Sequence, residues 1–495
     1  MVDLVEKRLE QRALQSFIAR SVLVIICLTT AAIELFDRSF VRIRLGPLFI
    51  SDAAWLLCIC LIYVSQVQMG LRDQVRILWA PLLFFFTGLI RLIIEIASYE
   101  GKISQQLLFR IAQHSLVFIY PLAWSTMGAW MATLNRRWSD QWLLVVLFAG
   151  LIVSLFQVLH LGVIPIGGNL AVGPLVLVAA LWWLNEGLQQ SIKPGDRFWL
   201  IGCAILALLA GFAPIWESWG IYMQRTTFLL SVLTISIVPW LVLRKNESRF
   251  IGLALIMGTW MILVFGIVLA DMRLASLKAH TSLLGEMTAV ITKRNQVDQT
   301  IHNSLTKLEP HPNARLIPNT ALKDDFLNSF QHGEDRPTTE GGRTFQFRVR
   351  GHMWHNALDD WQNAPIFGVG FIQEVPSVIL PGLPNTGGFE FPTAPPISGP
   401  HNSYLSILAR MGIAGMIVFI LFVGRMFIGA IRVMRDSPKS LESILLLFLL
   451  FNGAVHALFN VGFESPHRSI IMWIAAGILM AYTTKTLSER SEERN

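Results

Sequence analysis

Apolar residues run through this chain in long blocks separated by short polar connections, and the blocks predict its elements. A membrane-crossing helix needs about 20 largely apolar residues. The pattern predicts twelve such helices, near 20–37, 48–69, 77–97, 111–132, 141–162, 170–187, 198–214, 225–243, 250–270, 402–430, 441–460 and 468–484. The stretch from Met1 to Arg20 mixes Lys7, Arg8, Arg12 and Arg20 with acidic residues and lacks a small-residue cleavage pattern. It reads as a cytoplasmic amphipathic lead-in, not a removable signal.

One long segment, Asp271 to His401, breaks the alternation and holds seven of the eleven histidines. Loops longer than about 12 to 15 residues are usually functional or disordered in compact proteins. Apolar residues at helical spacing predict surface helices over 274–301. The stretch 310–342 reads as irregular connection, 345–361 has a helical pattern, and the proline-rich 376–400 is extended or turn-rich. The expected organisation is residues 1–270 as helices one to nine, 271–401 as a large loop region, and 402–495 as helices ten to twelve with a tail.

Composition excludes a soluble protein: 53% of residues are hydrophobic, 15% are charged and the mean hydropathy is +0.53. The net charge of +7 raises nucleic acid as a partner, but the Lys and Arg residues sit mostly in short connections, so no nucleic-acid binding is expected. Nineteen of them fall on the N-terminal side of the alternating helices and seven in the short connections opposite. By the positive-inside rule both termini are cytoplasmic and 271–401 lies outside. Arg38, Arg42 and Arg44 run against that bias. The four cysteines, Cys27, Cys58, Cys60 and Cys203, all lie in apolar blocks and imply no disulfide framework.

Ionisable groups within the apolar blocks come first in the search for chemistry, because a charge at a helix centre costs about 2.5 to 3.5 kcal/mol on the insertion scale. Arg91 and Glu95 are spaced i, i+4 toward the outer end of the third helix, where they can pair with each other or face a ligand. Asn452, His456 and Asn460 form an i, i+4, i+8 stripe that suits a helix-to-helix seam or a site. Arg225 stands at the outer mouth of the eighth helix, a place for an anion or a snorkelling headgroup contact. A helix would put Arg350 on one face with Trp354, and His401 sits where the proline-rich stretch meets the tenth helix. An imidazole is partly neutral at pH 7 and able to accept a proton. His352 and His355 lack further ligands at zinc spacing, and paired Asp359 and Asp360 suit an exposed helix face better than a metal. Gly368-Val369-Gly370 has no strand-to-helix context, which rejects a dinucleotide fingerprint.

Four runs then fall in order: Arg350-Gly351-His352-Met353-Trp354, Pro365-Ile366-Phe367-Gly368-Val369-Gly370, Pro400-His401-Asn402-Ser403-Tyr404-Leu405 and Gly412-Ile413-Ala414-Gly415. Together with the long outer segment they resemble the signature of the O-antigen ligase and polymerase superfamily. Gln224-Arg225-Thr226 is similar to that family's serine-arginine motif, with Gln where Ser is common. His456-Ala457-Leu458-Phe459-Asn460 is similar to a later motif, with Asn where Glu is usual. The resemblance spans roughly residues 210 to 484.

The resemblance implies an all-α polytopic glycosyltransferase of GT-C type in a bacterial inner membrane, with a large periplasmic region over the site. It implies transfer of a glycan from undecaprenyl diphosphate to an acceptor hydroxyl, most like an O-antigen ligase acting on lipid A-core oligosaccharide. A polymerase using a lipid-linked repeat or a related exopolysaccharide is the nearer alternative, and a transporter or flippase the one from a different class. Carried over by position, Arg225 and Arg350 hold the donor diphosphate and His401 contacts the acceptor hydroxyl or reacting centre. Two guanidinium groups can take the place of a metal, so no divalent cofactor is expected.

Overall fold

A computed structural model describes residues 2–41, 43–45, 48–65, 70–101, 105–158, 354–372, 402–436, 441–458, 463 and 466–492. Over these residues the regular secondary structure is helical apart from one small hairpin. Helix α1 (Val2–Val41) contains neither Gly nor Pro and runs unbroken from the polar lead-in into the first apolar block. It ends shortly before Gly46-Pro47, a turn signal, around which β1 (Arg44–Leu45) pairs antiparallel with β2 (Leu48–Phe49). Helices α2 (Ile50–Ser65), α3 (Leu71–Ser98), α4 (Gln105–Leu134) and α5 (Arg136–Val158) follow. A short helix α6 covers 354–363. Helices α7 (Ser403–Asp436), α8 (Leu441–Ala457) and α9 (Pro466–Glu492) complete the described part.

Helices occupy the span positions expected near 20–37, 48–69, 77–97, 111–132, 141–162, 402–430, 441–460 and 468–484. Those near 170–187, 198–214, 225–243 and 250–270, and the surface helices at 274–301, lie outside the described residues. Among the described residues, three helices are long and apolar enough to cross a membrane: Ala13–Phe36, Arg72–Ser98 and Ser403–Arg432. Shorter apolar helices cover Ile50–Val64, Leu445–Val455 and Ser469–Lys485.

Helix α9 is the hub. Every side chain from Ile470 to Met480 that carries more than a hydrogen is buried, the mark of a helix enclosed on all sides. In a bilayer, moving an apolar side chain from lipid to a helix interface gains little hydrophobic energy, so contact rests on close packing and interhelical hydrogen bonds. Both join α9 to α4. A Cβ on Gly128 would lie 2.0 Å from the Ile474 carbonyl oxygen, and one on Gly477 would lie 2.0 Å from that of Ser125. The Ser125 hydroxyl donates to the Trp473 carbonyl at 3.1 Å. Other polar links join α2 to α4 (Trp55 Nε1 to the Ala123 carbonyl, 3.0 Å) and α5 to α1 (Trp142 Nε1 to Thr30 Oγ1, 3.0 Å).

An aromatic cluster fixes α7 against its neighbours. The Phe419 ring meets those of Phe84, Tyr404 and Phe463 at centroid distances of 5.3, 5.9 and 5.1 Å, and Phe422 stacks on Trp473 at 5.3 Å. A second tie between α7 and α3 answers a defect in α3. Pro81 has no N–H for the carbonyl four residues back, and that carbonyl, of Ile77, receives Arg425 Nη2 at 3.5 Å, with the Arg76 carbonyl at 3.1 Å. The same guanidinium lies over the Trp79 ring, 5.1 Å from its centroid.

Candidate functional site

Helix α7 is broken at one residue. Gly412 has φ 64° and ψ −164°, a left-handed backbone that an L side chain resists. In an unbroken helix the amides of Ile413 and Ala414 would bond to the carbonyls of Ala409 and Arg410. Here they donate instead to the carbonyls of Pro365 and Ile366, at 2.9 and 3.0 Å. The released Ala409 and Arg410 carbonyls accept the amides of Val369 and Gly370, at 2.8 and 3.0 Å. The segment 365–370 is thus inserted into the break, and four helix partners are exchanged for four segment partners. Two of the four sequence runs singled out above meet here backbone to backbone.

The fit demands glycine. Gly368 and Gly370 have φ 69° and 92°, and a Cβ on Gly412 would lie 2.3 Å from the Ile366 carbonyl oxygen. A Cβ on Gly370 would lie 2.2 Å from a Glu95 carboxylate oxygen. The repeated glycines that resembled a nucleotide motif therefore serve close approach to α7 and α3.

Arg91 and Glu95 are the side chains that hold this segment from α3. Arg91 donates from Nε to the Phe367 carbonyl and from Nη2 to the Gly368 carbonyl, both at 3.0 Å. The Glu95 carboxylate accepts the amides of Phe371 and Ile372, at 2.5 and 2.8 Å. From α4, His114 Nδ1 is 3.0 Å from the Phe371 carbonyl, and from α7 the buried Arg410 donates to the Gly370 carbonyl at 3.3 Å. The sequence pattern offered Arg91 and Glu95 as an ion pair or as ligand-facing charges; the structure gives both of them backbone partners. Arg410 and His114 were not singled out. The available signal was an ionisable residue inside an apolar block, at Leu408-Ala409-Arg410-Met411 and at Gln113-His114-Ser115.

The start of α7 is equally well fixed. Asn402 is its N-cap: its Oδ1 accepts the amides of Tyr404 and Leu405, at 3.0 and 3.1 Å. The Tyr404 hydroxyl donates to the Ala454 carbonyl of α8 at 2.9 Å, and the Phe463 amide donates to Ser403 Oγ at 3.1 Å. Asn452 on α8 is buried, and among the described residues neither of its amide atoms has a hydrogen-bond partner, whereas the His456 side chain and Asn460 lie outside the described residues. His355 and Asp359, i and i+4 on α6, approach to 3.8 Å.

Arg225, Arg350 and His401 all lie outside the described residues. In the chain, Arg350 precedes α6 by four residues and His401 directly precedes the Asn402 cap. Along the chain, the start of α6 and the capped start of α7 are therefore the described elements nearest to two of the three.

Residues 218–420 match a family model described as O-antigen ligase. No curated protein matches the chain. The matched stretch takes in Arg225, Arg350, the inserted segment, His401 and the break at Gly412, while Arg91, Glu95 and His114 belong to helices outside it. Over residues 218–420 the chain is thus similar to the O-antigen ligase family, the superfamily that its sequence runs resemble.

Proposed function

We propose that the protein is an O-antigen ligase, which moves a finished glycan from undecaprenyl diphosphate to a hydroxyl of lipid A-core oligosaccharide. The observation that carries this reading is the family match over 218–420, which contains all three candidate residues in their motifs. The proposed setting is a GT-C bundle of about twelve spans in a bacterial inner membrane, with cytoplasmic termini and residues 271–401 on the periplasmic side above the site. The positive-inside bias supports that orientation.

In the proposed reaction the acceptor oxygen attacks the anomeric carbon. The bond from that carbon to the diphosphate oxygen breaks, and the diphosphate leaves with the electron pair. Arg225 and Arg350 bind the diphosphate, each charge-assisted hydrogen bond contributing about 1.5 to 3 kcal/mol, more as charge builds on the leaving group. His401 accepts the hydroxyl proton. The periplasm has no ATP, so the donor's own glycosyl diphosphate bond drives the transfer. With two guanidinium groups on the diphosphate the reaction needs no divalent ion.

The test is incubation of purified protein with lipid-linked glycan, with and without lipid A-core. Transfer that depends strictly on lipid A-core supports a ligase. Chain growth from lipid-linked repeats alone makes the protein a polymerase, and no transfer with either acceptor defeats both readings.

A further inference from the structure

The inserted segment sits at the depth of the bilayer. Its tip is bound by Arg91, seven residues from the end of the span Arg72–Ser98, which is about 10 Å along the helix axis. On α7 it is bound at Ile413, just past the break at Gly412 and ten residues into the span Ser403–Arg432. The α3 span is about 40 Å long and a hydrocarbon core about 30 Å thick, so α3 overhangs by about 5 Å at either end. That places the tip about 5 Å below the hydrocarbon edge.

Irregular backbone survives at that depth only where protein satisfies its polar groups. The structure supplies most of those partners: the carbonyls of Pro365, Ile366, Phe367, Gly368 and Gly370 and the amides of Gly368, Val369, Gly370, Phe371 and Ile372 are all hydrogen-bonded. The side chains at the tip do the opposite. Ile366 and Phe367 are 59% and 65% exposed, a poor arrangement for a loop in water. They lie near two apolar stripes of exposed residues, Leu83, Phe86, Ile90 and Ile94 on α3 and Ile413, Ile417 and Ile420 on α7, both on helices long and apolar enough to cross a membrane. Trp361, whose Nε1 donates to the Pro365 carbonyl at 3.1 Å, has the amphipathic ring that favours the membrane interface.

We infer that residues 364–372 form a re-entrant turn whose tip, Ile366 and Phe367, lies in the acyl chains of one leaflet. The partner of this surface is bilayer hydrocarbon, shared with the apolar stripes of α3 and α7. The break in α7 and the charged groups of α3 are what let a turn without secondary structure reach that depth. This inference is independent of the proposed glycan transfer.

The experiment uses the full chain with its four native cysteines replaced by alanine, reconstituted in phospholipid vesicles, with a nitroxide on Phe367→Cys. Collision rates with oxygen, which concentrates in hydrocarbon, and with a water-soluble nickel chelate are compared with those at Ile90→Cys and His355→Cys. Oxygen access matching position 90, with nickel access several-fold below that at position 355, is the expected result. Nickel access equal to position 355 puts the tip in water, and access to neither reagent puts it under protein; either overturns the inference. A second measurement leaves the chain unaltered: vesicles carrying diazirine-labelled acyl chains are irradiated and the adducts mapped. Adducts on 364–372 are expected, and their absence while α3 is labelled would overturn it.

Discussion

Arg91 and Glu95 stand one turn apart on α3 and hold the tip of the inserted segment and the residues just after it. Arg91 binds the carbonyls of Phe367 and Gly368, and Glu95 binds the amides of Phe371 and Ile372. Each charge is matched to the backbone dipole that suits it, so two ionisable groups in an apolar helix become connectors between α3 and a stretch of chain 276 residues away.

Removing the carboxylate should loosen one end of this clamp. Glu95→Ala leaves two amides without acceptors, at about 1 to 3 kcal/mol for each buried group. Glu95→Gln keeps one acceptor oxygen and should lose less. Hydrogen exchange over the peptide containing Phe371 and Ile372 should accelerate in the order wild type, Gln, Ala. Equal protection in all three would show that these amides draw their stability from elsewhere.

Two glycines of α7 should respond oppositely to alanine. At Gly412 the left-handed backbone alone costs about 1 to 3 kcal/mol for an L residue, and the new Cβ meets the Ile366 carbonyl oxygen at 2.3 Å. Gly424 has nothing within 4 Å of its added Cβ, so Gly424→Ala should be neutral or gain up to about 1 kcal/mol in helix preference. Thermal unfolding in detergent separates the two; a Gly412→Ala protein as stable as wild type would mean the break is not built on that residue.

The contact between α4 and α9 predicts a further asymmetry. Gly128→Leu and Gly477→Leu force a side chain against opposing backbone, which cannot rotate away. Overpacking of this kind costs about 1 to 3 kcal/mol or more. Both variants should give a lower Tm and a lower yield of monodisperse protein, whereas Leu at the exposed Ile417 should change neither.

For the proposed transfer, His401→Ala should reduce turnover by about 10² to 10⁴. Arg225→Lys and Arg350→Lys keep the charge but lose the planar fork, so the KM for the lipid-linked donor should rise. Activity should persist in excess chelator. Near-normal transfer by His401→Ala removes the base role, and a chelator-induced loss restored by magnesium removes the metal-free mechanism.

Much of the helical layout was legible because a spanning helix writes itself as a block of apolar residues, and the eight blocks within the described residues each contain a helix. Arg91 and Glu95 were legible for the converse reason: they are charges inside such a block, one turn apart. Their partners were not, since a backbone carbonyl or amide carries no residue identity and the segment that supplies them is remote in the chain. The break at Gly412 was hidden because helix-forming residues continue on both sides of it, and only the φ value exposes it. Arg410 was overlooked although its charge stands in an apolar block, and His114 because a single histidine in such a block signals little.

The pairing of α4 with α9 also bears on biogenesis. The Ser125 hydroxyl and the Trp473 carbonyl are joined across 348 residues, and a ribosome adding roughly 5 to 20 residues per second takes some 20 to 70 s to cover that interval. During that time α4 exists without α9, and the surface around Gly128 that α9 fills is open to another nascent helix. A chaperone or insertase that shields this surface would act in that window, and Gly128 is where its contact should be sought.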